Sequence, residues 1–147
     1  MLKWAAKKLG VGVVEVHLDD LAEYIELLAR AGDEERRLIA AEALALRQAL
    51  EAQGIAVGAP IDYIRRKPAM LTRLEDYVED MARKDRIKSL GMAAWMHTLR
   101  AARHVVDGQR AEIFRELTLK MWRELGKGLA ADTAVGLFPL DFNPANA

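Results

Sequence analysis

In the stretch LDDLAEYIELLARAGDEE, residues 18–35, apolar side chains return every three or four positions. Leu18, Leu21, Ile25 and Leu28 share one face, while Asp19, Glu23, Glu26 and Arg30 share the other, which is the period of an amphipathic helix. Gly32 ends it, and Asp33, Glu34 and Glu35 open the next helix with a cap and first-turn acids. The same alternation of period and punctuation runs through the chain. A second long helix reaches about Gln53 and stops at Gly54, and Gly54–Pro60 reads as a loop. A short element follows at Ile61–Arg66. Pro68 suits the first turn of a helix from Ala69 to about Arg83, with Leu71, Leu74, Val78 and Met81 facing inward. Ser89 to Gly91 reads as a break or kink, and a helix then runs to Val106 and closes at Asp107 and Gly108. The last helix, about Gln109 to Leu125, places Ile113, Phe114, Leu117, Met121 and Leu125 on one side.

Val11–Val16 is the only β-branched run, and glycine interrupts it. The expected fold is therefore all-α: a single-domain bundle of about five or six helices over residues 1–136, with an extended tail at 137–147. Trp95 and Trp122 are expected to be buried, with Leu99, Ile113, Leu117 and Met121 around them. A chain of 147 residues is long enough for a core without metal or disulfide staples. It has no cysteine, which excludes disulfides, thiolate zinc sites, iron–sulfur clusters and thiol nucleophiles.

The 22 basic and 22 acidic residues cancel, which argues against a protein that coats nucleic acid. They are segregated, however. Residues 11–35 carry eight acids against Arg30, a net of −7, and residues 86–127 carry nine bases against four acids, a net of +5. Either the acidic helix lies beside the basic C-terminal pair, or the molecule stacks acidic end to basic end in an assembly. The basic start, residues 1–10, leads into an apolar stretch too short for a secretory signal, and no window reaches the ~20 apolar residues of a membrane span. A cytoplasmic location is expected. The alanine and arginine richness resembles that of a GC-rich bacterial or phage genome.

Chemistry-bearing residues are few. His97 and His104 lie seven apart on one helix, about two turns and too far to share one metal, and neither Glu-x-x-His nor His-Glu-x-x-His occurs, so neither a metal nor another cofactor is expected. They read as boundary histidines, or as an anion contact made with Arg100 and Arg103. His17 reads as a linker residue. Glu42 sits between apolar positions of its helix, as a paired structural carboxylate or as a shifted general base. Arg65, Arg66 and Lys67 form the densest basic cluster, able to touch phosphates without reading sequence. Trp4, among three lysines, suits a partner contact or a membrane interface. In the tail, Phe138, Leu140 and Phe142 alternate and would point to one side of an extended strand.

These features lead to a non-enzymatic adaptor or assembly component acting through protein–protein contacts, with a protein partner or a second copy bound through Trp4, Arg65, Arg66, Phe138, Leu140 and Phe142. No catalytic residue is assigned. One alternative is a helical-bundle enzyme or ligand-binding regulator using Glu42 or the His97/His104 strip. Another is a membrane-surface or nucleic-acid-associated factor using the basic N-terminus and Arg65 to Lys67.

Overall fold

Helix-ending and helix-starting residues divide the chain much as the sequence implies. The computed structural model describes residues 12–84, 89–127, 129–130 and 139–142. Six helices account for most of them: α1 (Val13–Arg30), α2 (Asp33–Ala52), α3 (Ile61–Arg66), α4 (Pro68–Lys84), α5 (Leu90–Val106) and α6 (Ala111–Gly126). The fold is a mostly helical single bundle. Two residue pairs, β1 (Ala59–Pro60) and β2 (Leu140–Asp141), add a short parallel ladder that helical periodicity does not reveal. Helix α1 begins five residues before Leu18, so Val13 to Val16 are helical and His17 lies within a helix, not in a linker.

The α1–α2 corner is held by a side chain. Gly32 and Asp33 supply no cap bond to α2; instead the buried Arg36 donates to the carbonyls of Leu28 (3.2 Å) and Ala31 (2.8 Å). The end of α1 leaves such carbonyls short of helical partners, and the Leu28 carbonyl also accepts from the Ala31 amide at 3.3 Å.

Helix α5 is the hub and packs against all five other helices. Ser89 caps it by accepting from the Met92 amide at 3.0 Å, so the expected break is a helix start. Gly91 then passes close to α2: a Cβ there would lie 2.5 Å from Glu42 Cβ and 2.7 Å from the Ala43 nitrogen. Ala40, Ala43 and Ala94 keep the same crossing narrow, and Trp95 Nε1 donates across it to the Ala43 carbonyl at 3.0 Å. On the opposite side Trp122 Nε1 donates to Thr98 Oγ1 at 2.8 Å. Both indoles are buried, as expected, and so are Leu99 and Met121. Helix α6 is rotated from the expected face. Its buried line is Phe114, Thr118, Met121, Trp122 and Leu125, while Ile113 and Leu117 are only half-buried. Thr118 fits the inner position because its hydroxyl donates to the Phe114 carbonyl at 2.6 Å and leaves no polar group unpaired.

The acidic α1 packs on α5 and α6, and Glu15 pairs with Arg110 at 3.8 Å. The segregated charges thus face each other within the bundle. Among the described residues, no helix is long and apolar enough to cross a membrane.

Candidate functional site

One face of helix α5 is turned toward the last turns of α4. Met92, Ala93, Met96, His97 and Arg100 recur there at helical spacing, and Ala82 with the Glu79–Arg83 pair faces them from α4. Between the two helices is a cavity of about 340 Å³, with Ser89 at its α5 end. Methionine and alanine side chains give it an apolar lining with adaptable shape.

The polar groups of its wall are unequally satisfied. Glu79 and Arg83 hold each other at 4.0 Å on the exposed rim. His97 lies against the Tyr24 ring, with centroids 5.0 Å apart, and the Tyr24 hydroxyl donates to the Leu90 carbonyl at 2.6 Å. Burial raises the Tyr24 pKa, and the charge of Glu42 adds to the effect. Arg100 is half-buried, and among the described residues it makes no hydrogen bond and no ion pair within 4.0 Å. Burial lowers its pKa, while Asp20 of α1 acts on it in the opposite sense. It is a partly desolvated guanidinium beside apolar space.

The structure separates the residues singled out in the sequence. His97 contacts the cavity, while His104, two turns further along the helix, is buried with its Nε2 2.8 Å from His17 Nδ1 and its Nδ1 3.1 Å from Gln109 Oε1. Its ring stacks on Phe114 at 4.6 Å. The two histidines of α5 thus both face α1, His97 against Tyr24 and His104 against His17, but His104 is also closed in by Phe114 of α6. Arg103, expected beside Arg100, is taken by Glu75 of α4 and by Thr72. Among the described residues, no group of three or more histidine and carboxylate side chains is placed to hold a metal.

Glu42 is exposed; its carboxylate accepts from the Gly91 amide at 3.4 Å, and among the described residues no arginine pairs with it. Arg65 donates to the Val105 carbonyl at 3.4 Å and pairs with Asp62 at 3.6 Å, while Arg66 is exposed and Lys67 lies over the Tyr63 ring. The tail residues expected to meet a partner are seated on their own chain. Leu140 and Phe142 are 0% exposed. The Pro139 carbonyl accepts from the Gly58 amide at 2.6 Å, Ala59 faces Leu140 in the ladder, and Arg115 donates to the Phe142 carbonyl at 3.1 Å. Their alternation does direct them to one side, but that side is this bundle's own core. Trp4 and Phe138 lie outside the described residues.

The cavity itself was not legible in the sequence. Its one signal was Arg100, which shares a face with Met92, Met96 and His97 and had been linked to an anion. Comparison with known proteins finds no matching family model, no matching curated protein and no matching solved structure.

Proposed function

We propose that this bundle works by binding, as a small-ligand-binding regulator whose site is the cavity between α4 and α5. The observation that carries the reading is the pairing of an apolar space of about 340 Å³ with the half-buried Arg100 in its wall, which makes no ion pair within 4.0 Å among the described residues. Ligand pockets occupy roughly 300–1,000 Å³ and combine apolar lining with a few placed polar groups, so this one suits a small ligand. The direct test is titration with the fluorescent apolar anion 8-anilinonaphthalene-1-sulfonate. Wild type should give saturable, one-to-one enhancement, and Ala93→Phe, which fills the space, should abolish it while keeping the helical circular-dichroism spectrum. Unsaturable enhancement, or enhancement unchanged in Ala93→Phe, would overturn the reading.

The adaptor reading keeps one supporting observation. Leu38, on the outer side of α2, is 62% exposed and lies beside the exposed alanines 41 and 45, which together give that face an apolar character. Light scattering coupled to size exclusion tests it: a dimer that Leu38→Glu converts to monomer would support assembly through α2, and a monomer at all concentrations would remove self-assembly.

A further inference from the structure

Resting on the ligand-binding reading, we infer that the cavity between α4 and α5 takes an amphipathic monocarboxylate, with its apolar body against Met92, Ala93 and Met96 and its carboxylate on Arg100. The charges of the wall select this class. Glu79 and Arg83 neutralise each other on the rim, which leaves Arg100 as the cation of the wall that makes no ion pair among the described residues. The acid that acts on it is Asp20, which makes no ion pair with it. A half-buried guanidinium has lost part of its hydration, and an anion arriving through apolar space restores what water no longer supplies. Its planar fork matches a carboxylate through two parallel hydrogen bonds.

Other classes fit less well. An amine would meet Arg100 with like charge. A neutral apolar molecule would bury the guanidinium further and give it no partner. A dianionic phosphate would call for a second free cation, and the nearest candidate on α5, Arg103, is occupied by Glu75. The size of the cavity agrees with a short chain or a single ring: at about 30 Å³ for each water-sized group, 340 Å³ holds on the order of ten such groups.

Calorimetric titration of the full chain with octanoate, methyl octanoate and octylamine separates the possibilities. The expected result is one-to-one binding of octanoate, with the ester and the amine weaker by about ten-fold or more, the scale of one charge-assisted hydrogen bond. Arg100→Gln should remove that preference without weakening the ester, and Arg100→Lys, which keeps a point charge but loses the fork, should fall between. If the ester matches octanoate on the wild-type chain, the carboxylate inference fails and the binding reading stands; this arm decides even if Arg100→Gln does not fold. An octanoate preference that survives in a folded Arg100→Gln also overturns the role of Arg100. If none of the three probes binds, both the inference and the reading it rests on fail.

Discussion

His17 of α1 and His104 of α5 share a hydrogen bond of 2.8 Å between Nδ1 and Nε2, across 87 positions of sequence. The carboxamide oxygen of Gln109 only accepts, so His104 Nδ1 donates to it and Nε2 of a neutral His104 accepts from the His17 Nδ1–H. The chain of bonds ties α1, α5 and the start of α6 together behind the Phe114 ring.

Replacing His104 with alanine should cost about 2–5 kcal/mol, because a buried ring stacked on Phe114 leaves a hole as well as unpaired groups. His17→Ala, at a half-buried site, should cost less. In the double variant the costs should fall short of additive by about 1 kcal/mol. Urea unfolding of the four proteins measures this, and strict additivity would mean that the bond contributes nothing in solution.

Gly91→Ala should destabilise the bundle although alanine is the better helix former. The new Cβ would meet the Ala43 nitrogen at 2.7 Å and the Ile39 carbonyl oxygen at 2.9 Å, and neither can rotate away as a side-chain end could. Separating α2 from α5 would also stretch the bond from Trp95 to the Ala43 carbonyl. A net loss of about 1–3 kcal/mol is expected from overpacking. A gain near the ~1 kcal/mol favoured by propensity would show that the crossing opens without cost.

How far the fold could be read depended on whether its determinants were local. Gly32, Pro68 and Asp107 with Gly108 mark element ends through their own backbone preferences, and each boundary falls within two residues of its expected place. The inner face of α6 was harder. Leu117 looks more suitable for a core than Thr118, and only the bond to the Phe114 carbonyl explains why threonine is inside. Helix α5 is enclosed on several sides, so its periodicity cannot say which neighbour covers which residue: His97 and His104 both face α1, yet His104 is also covered by Phe114 of α6. The cavity is lined from α4 and α5 together, and a space shared by two helices leaves no periodic trace in either.

The tail should matter to folding. Its prolines keep it out of helix packing, which favoured a docking segment, yet Leu140 and Phe142 complete the core beside the loop that carries Gly58 and Ala59. Phe142→Ala should cost about 3–5 kcal/mol. Truncation after residue 138 should lower the thermal midpoint by at least as much as that substitution does. A truncated chain with an unchanged midpoint would show that these residues do not rest where the structure seats them.

Tyr24 should make the bundle sensitive to alkali. Its hydroxyl is buried, donates to the Leu90 carbonyl and faces the charge of Glu42, so the folded state raises its pKa above the ordinary value of about 10. Below that value folded and unfolded chains both keep the proton, and the hydroxyl's contribution is fully present. Above about pH 10 the unfolded chain releases it while the folded chain holds it, so stability falls as pH rises, by up to about 1.4 kcal/mol per pH unit for this one proton. Tyr24→Phe should cost about 0.5–1.5 kcal/mol at neutral pH through the lost bond. It should also flatten the alkaline limb, so that the two proteins converge in stability between about pH 10 and 12. Lysines and the other tyrosines are common to both proteins and cancel in the difference. Parallel curves over that range would mean that Tyr24 ionises as readily in the folded chain as in the unfolded one, and that its hydroxyl is not sealed beneath Leu90.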